Sequence, residues 1–341
     1  MLFLNVCNSW TRIALSIPAL WASIRVAFPC GEYFSELLSI WLARAGNRPL
    51  SVSLEGTFDH DIVDLIWERA EKLKHIQICF EGKIHDSWKW NFWHTLPESL
   101  PSLETLTFRG SPNVIVGIRL PIPRLLDFFE LAPNLLECVL VNIETTYQVC
   151  ATTRLPNLLK FSFGEETDGP TRDNILLSSL SLPRLRSLSV SLEEDDSDRT
   201  LVGFLEACTP PLQQLILYLS RRSSFLECLC LVPELERLEV WWLEWQQAED
   251  LFTALKEIPS LLPRLTTLCL RHSSLQPDPM PHSLWHGLSA ALVGRRAQLR
   301  DFHLSLPHPS GGPPPLDVIA SLRELMADGV SIHITGVALR S

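Results

Sequence analysis

The chain has 341 residues, 46% of them hydrophobic and 20% charged, with a formal net charge of −10. Such a balance supports one large core or two domains, and an acidic chain with no basic run argues against a nucleic-acid backbone or an anionic membrane surface as partner. No apolar run reaches the roughly 18–20 residues that span a bilayer. The nine cysteines include no C-x-x-C pair, which predicts reduced thiols in an intracellular protein, cytoplasmic or nuclear, in place of a disulfide framework.

Taken in chain order, the opening "VCNSWTRIALSIPALWASIRV" (Val6 to Val26) places Val6, Trp10 and Ile13 on one helical stripe, and "WASIRV" then predicts a strand. "MLFLNVCNSW" has no basic leader region, and Asn5 and Asn8 break its apolar run, unlike a signal peptide. A helix is predicted over "YFSELLSIWLARAG", with Gly46 suited to end it. A short strand follows in "PLSVSL" (Pro49 to Leu54). "DHDIVDLIWERAEKL" predicts a helix with Ile62, Leu65, Ile66 and Arg69 on one stripe and Asp59 or Asp61 as N-cap.

From Leu73 onward one pattern recurs nine times: "LKHIQI", "LETLTF" from Leu103, "LLECVL" from Leu135, "LLKFSF" from Leu158, "LRSLSV" from Leu185, "LQQLIL" from Leu212, "LERLEV" from Leu235, "LTTLCL" from Leu265 and "LRDFHL" from Leu299. Each reads L-x-x-Φ-x-Φ, with Φ apolar, and the first leucines lie 23 to 34 residues apart. Pro101, Pro133, Pro156, Pro183, Pro210, Pro233 and Pro263 each stand two residues ahead of such a leucine. Positions four and six differ by two and share a strand face, while position three points the other way and is polar in every unit. The spacers carry helical patterns: "PIPRLLDFFELA", "RTLVGFLEAC", "SFLECLCL", "EWQQAEDLFTALKEI" and "SLWHGLSAALVGRRA". Strand, helix, strand at this spacing predicts parallel strands with helical crossovers, since hairpins lack both the turn residues and the short gaps they need. "PHPSGGPPP" (Pro307 to Pro315) reads as a loop, and "GVSIHITGV" (Gly329 to Val337) as a last strand; with "PLSVSL" it is expected to close the ends.

These units resemble leucine-rich repeats over roughly Pro49 to the C-terminus. The predicted fold class is therefore an α/β solenoid, with parallel strands on its concave face, helices on its convex face and a short helical cap at the amino end. The Asn or Cys that usually follows the strand in regular members is mostly missing: Arg271 and His272 follow one strand, Gly164 and Glu165 another. An irregular solenoid is expected.

In that setting the opening stretch resembles the carboxyl-terminal half of an F-box, as found in fungal F-box and leucine-rich-repeat proteins. Val6, Cys7, Trp10, Ile13, Ala14, Ser16, Pro18, Leu20 and Trp21 match "V-C-x-x-W-x-x-I-A" and "S-x-P-x-L-W". Domain limits of 1–28 for this motif and 29–341 for the repeats follow. The motif's first helix, which begins "L-P-x-E-I/L", would lie upstream of Met1. The resemblance implies a substrate-recognition subunit of a cullin-RING ubiquitin ligase, tethered by a Skp-family linker protein and holding an unidentified target on its repeats. It implies no enzyme activity and no cofactor. Val6, Trp10, Ile13, Pro18 and Trp21 would then touch the linker protein, or else serve only as a cap over the end of the repeats. A stand-alone repeat scaffold is the alternative, and an unrecognised hydrolase the remote one.

The residues themselves offer little chemistry. No G-x-G-x-x-G, G-x-x-x-x-G-K-S/T or G-x-S-x-G occurs. His282 and His286 have ligand-like spacing, but Ser follows His282 and no third ligand suggests itself, so no metal site is expected. Cys228 and Cys230 read as core residues. Of the tryptophan clusters, Trp88, Trp90 and Trp93 read as core plugs, whereas Trp241 follows the alternation onto the polar face, ahead of Trp242 and Trp245. Glu165, Glu166, Glu193, Glu194, Asp195 and Asp196 follow two successive strands and are expected to form one acidic edge, solvated or able to dock a basic segment. The candidate partner-binding face is the polar side of the strands: His75, Thr105, Glu137, Lys160, Gln214, Arg237 and Asp301 in one column, with Ser187 and Thr267. Arg109, Tyr218, Trp241 and Arg271 follow one residue past each strand.

Overall fold

The computed structural model describes residues 7–31, 33–56, 60–80, 96–110, 118–146, 151–164, 175–192, 197–220, 224–272, 280–306 and 314–335. Twelve strands form a parallel sheet, with helices in the connections between them. The chain divides into two compact units, one spanning Met1–Leu159 with Glu165–Thr171, the other Lys160–Gly164 with Arg172–Ser341.

In the first unit, β1 (Ser23–Ala27), β2 (Leu50–Glu55), β3 (Leu73–Cys79), β4 (Thr105–Arg109) and β5 (Glu137–Val141) pair in that order. Its helices are α1 (Asn8–Ser16), α2 (Phe34–Ala45), α3 (His60–Trp67) and α4 (Ile122–Leu131). β1, not β2, is the outermost strand, so "PLSVSL" lies one place in from the end it was expected to close. In the second unit the order is β6 (Lys160–Gly164), β7 (Ser187–Leu192), β8 (Gln214–Leu219), β9 (Arg237–Trp241), β10 (Thr267–Arg271), β11 (Asp301–Ser305) and β12 (Ser331–Thr335). Among the described residues the longer intervening helices are α5 (Ser197–Cys208), α6 (Leu226–Cys230), α7 (Trp245–Glu257), α8 (His282–Gly294) and α9 (Leu316–Ala327), with a single helical turn at Ile175–Ser178 ahead of β7.

The apolar pattern explains why these strands form. In all nine units the first leucine and positions four and six are at most 4% exposed. Burying one such side chain contributes about 1.5–3 kcal/mol, so each repeat carries its own share of the core. Where present, the prolines set how the chain enters the strand. In six units Pro stands second in a turn closed by the leucine's N–H, as in Leu103 N to Leu100 O at 3.2 Å and Leu235 N to Val232 O at 3.1 Å. Proline's fixed φ suits that place. The Pro210 unit departs because Pro211 follows it. A second proline disfavours the helical conformation the turn needs at the first, and Leu212 N bonds to Pro210 O at 2.7 Å instead.

Asparagine ladders do occur, ahead of the strands. Asn134 Nδ2 donates to Pro101 O at 2.8 Å and Asn157 Nδ2 to Pro133 O at 3.1 Å, each one repeat back. α3 is shorter than its periodicity suggests. It buries Ile62, Val63, Ile66 and Trp67, leaves Leu65 half-buried, and contains Asp61 in its first turn. Asp59 lies outside the described residues. A single 3-10 turn, Ala70–Lys72, then leads into β3.

Arg295 is a buried cation with a structural duty, being only 6% exposed. Its guanidinium donates to Leu255 O (3.0 Å), Pro259 O (3.1 Å) and Ile258 O (2.7 Å), closing off the carbonyls at the end of α7. Arg295→Met removes those donors, leaving the buried Leu255 carbonyl and the partly buried Ile258 and Pro259 carbonyls without them. A loss of about 2–3 kcal/mol in urea denaturation is expected; a loss below about 0.5 kcal/mol contradicts this role.

Candidate functional site

The described part of the opening stretch contains α1, a 3-10 turn at Pro18–Trp21, and β1. α1 buries Ala14 alone. Trp10 is 51% exposed, Ile13 53% and Leu20 50%, so the apolar stripe read from the sequence points outward. Trp21 behaves differently. It is buried, its Nε1 donates to Ala14 O at 2.9 Å, and its ring meets Trp41 edge-on at 4.9 Å with the Arg44 guanidinium 4.7 Å from its centroid. Trp21 therefore fastens α1 and the turn onto α2, while the exposed Pro18 starts that turn. Val6 lies outside the described residues.

Parallel pairing in register turns the polar side of the strands into rows. In the first unit one row joins Ser23, Ser51, His75, Thr105 and Glu137, and the next joins Arg25, Ser53, Gln77, Thr107 and Val139. These rows floor a shallow depression of ≈ 420 Å³ reaching from β1 to β4. His75 Nδ1 lies 2.7 Å from Thr105 Oγ1, and Arg25 pairs with Glu55 at 2.5 Å. Arg109, at the end of β4, is half-buried beside Cys79 and Val141 in the register.

In the second unit the rows run Lys160, Ser187, Gln214, Arg237, Thr267, Asp301, and then Ser162, Ser189, Ile216, Glu239, Cys269, His303. A third row brings Tyr218, Trp241, Arg271 and Ser305 side by side. Tyr218, Trp241 and Arg271 belong to their strands, not to the connections after them as the spacing had suggested. The Trp241 ring lies 5.3 Å from that of Tyr218, and the Arg271 guanidinium sits 3.8 Å over Trp241. Arg237 Nε donates to Glu239 Oε1 at 2.7 Å, and that bond holds the Arg237 pKa above its ordinary value.

Trp242 adds a second indole to this row. Simple alternation would send it to the opposite face. Instead its φ is 60°, a left-handed conformation, and its ring reaches Tyr218 at 5.2 Å. Left-handed backbone costs a non-glycine residue about 1–2 kcal/mol. Leu243 N then bonds to Arg271 O at 3.0 Å, so the chain resumes its pairing after this one residue. Trp245, further on, stacks on the buried His272 at 3.6 Å.

The residue-level reading missed position five of each unit, which shares its face with position three; Gln77 and Glu239 were legible from that rule alone. Trp242 had only the Trp-Trp doublet as a signal, since strict alternation can accommodate one of the pair. The six acidic-edge residues, Glu165, Glu166, Glu193, Glu194, Asp195 and Asp196, lie outside the described residues, as do Trp88, Trp90 and Trp93. Among the described residues no cluster of three His, Cys, Asp or Glu side chains is placed to hold a metal ion. His286 Nδ1 lies 3.3 Å from Asp317 Oδ2. No helix among the described residues is long and apolar enough to cross a membrane.

One cysteine differs from its expected place. Cys228 is buried, but Cys230 is exposed, because two residues along a helix turn the side chain roughly 200° away. Burial pushes the Cys138 and Cys228 thiols far above the ordinary thiol range, which suppresses the reactive thiolate. Iodoacetamide followed by peptide mass spectrometry should label Cys7 and Cys230 on the folded chain and reach Cys138 and Cys228 only as it unfolds. Equal labelling of Cys228 and Cys230 contradicts this placement. In comparison with known proteins, no family model matches this chain, and no curated protein matches it.

Proposed function

We propose that this chain is a recognition subunit of a cullin-RING ubiquitin ligase. In this reading it holds a target protein on the polar face of its repeats, contacts a Skp-family linker protein through the opening helix, and catalyses nothing. What supports the linker contact is the outward display of Trp10 and Ile13, two positions of the F-box-like string, on a helix that buries only Ala14. A helix serving only as a cap would turn those side chains inward, because shielding the end of a repeat stack is done by apolar burial. Exposed tryptophan with adjacent aliphatic side chains is the composition that anchors protein interfaces. The polar strand face, with Arg, Tyr and Trp gathered in one row, has the composition of a protein-recognition surface.

The test is co-elution of the purified chain with a Skp-family linker protein, for the 341-residue chain itself and for a version carrying a complete F-box. Trp10→Glu with Ile13→Glu serves as the control, since both side chains are exposed and the fold should survive. Expected is co-elution of at least the complete version, abolished by the double substitution. If neither version co-elutes, or if the substitutions change nothing, the ligase reading fails and a stand-alone repeat scaffold replaces it.

A further inference from the structure

The row at the ends of β8, β9 and β10 contains the elements of a specific receptor. Arg271 is exposed, and its guanidinium carbon lies 3.8 Å from the centroid of the Trp241 ring, the separation at which a guanidinium face rests on an aromatic face. Stacking engages the face of a guanidinium and leaves its N–H donors pointing outward from the edge, in the fork that fits a carboxylate with two parallel bonds. It also fixes a long side chain in advance, which lowers the entropy lost on binding. Among the described residues Arg271 makes no ion pair. The other arginine of this face, Arg237, is engaged by Glu239. Asp301 sits in the row four residues back along the strand from Arg271, roughly 13 Å at strand rise, too distant to occupy it.

Next to this cation lie three half-buried aromatic rings, Tyr218, Trp241 and Trp242, and one of them is held there against the backbone preference by a φ of 60°. Asn142, at the same position of an earlier unit, is left-handed as well (φ 54°), so the conformation belongs to this strand exit, and here it brings an indole beside Tyr218. The described charges on this unit's face are Lys160, Arg237 and Arg271 against Glu239 and Asp301, a small positive excess on a protein of net charge −10.

We propose that Arg271, Trp241, Trp242 and Tyr218 form a receptor for an extended protein segment that presents an Asp or Glu carboxylate beside an apolar side chain. The carboxylate takes the edge of Arg271, and the apolar neighbour lies against Trp242 and Tyr218. This deepens the reading of the strand face as a recognition surface and rests on it.

The experiment uses the full chain on arrays of twelve-residue peptides in four sets. Each set keeps the same apolar residues and carries Asp/Glu, Asn/Gln, Lys or phosphoserine at the variable position. The acidic set should be retained at least about tenfold better than its amide counterpart, with the preference shrinking as salt rises. Arg271→Gln should remove that preference. Arg271→Lys should recover only part of it, because an ammonium neither stacks flat nor forks. Arg271 is exposed, so its variants should melt with the parent chain.

Equal binding of acid and amide sets, indifference to Arg271→Gln, preference for phosphoserine, or no binding by any set would each overturn the proposal. Preference for the lysine set that is lost on Glu239→Gln would overturn it too, while keeping the strand face as the recognition surface. The linker-protein test does not involve Arg271, so the two readings fail separately.

Discussion

Three side chains per repeat hold this sheet: a leucine at or just before the start of the strand and two apolar residues on alternate positions within it, all nearly excluded from solvent. Because the repeat strands within each unit pair in register, these side chains stack into rows, and each repeat buries apolar surface that it could not bury alone. The parallel ladder depends on this arrangement. A one-residue slip would turn the whole apolar set to the opposite face. In six units a proline assists by presetting the turn that delivers the leucine, and where Pro211 spoils that turn the leucine is still buried. Burial of the leucine governs, and the turn adapts to it.

The same alternation leaves the other side of most strands free of a core role, β7 with its buried Ser189 and Ser191 being the exception, and the candidate chemistry is there. Small polar residues dominate it in the first unit, where Ser23, Ser51, Ser53, Thr105 and Thr107 surround His75 and Gln77. In the second unit it gathers two indoles, a phenol and a guanidinium within one row. These are different surfaces on the same frame. The amino-terminal helix is a third, with Trp10 and Ile13 displayed by a segment that Trp21 anchors from beneath.

Much of the fold was legible because the repeat has a period and the strand has a face. Leu103, Leu106 and Phe108 declare their burial by spacing alone, and Thr105 declares the opposite side. The short length of α3 was not legible, since Val63 and Trp67 lie on the buried face beside the stripe that spacing picked out. The candidate site was half legible. Trp241 and Arg271 followed from alternation, but their stacking did not, because it joins repeats 30 residues apart. Trp242 was hidden by a left-handed φ, shared with Asn142 at the same position of an earlier unit, which strand alternation alone does not announce. Arg295 was hidden as well: nothing local in "LVGRRAQ" distinguishes the arginine that closes α7 from its exposed neighbour Arg296.

The central claim is a division of labour between the two sides of each strand. A saturation scan of the nine units, read as the abundance of folded chain, tests it directly. Polar substitutions at the first leucine and at positions four and six should deplete the folded chain in every unit, whereas exchanges among polar residues at positions three and five should leave it near the parent level. If positions three and five prove as sensitive as four and six across the units, the polar face is part of the scaffold and is not free to serve recognition.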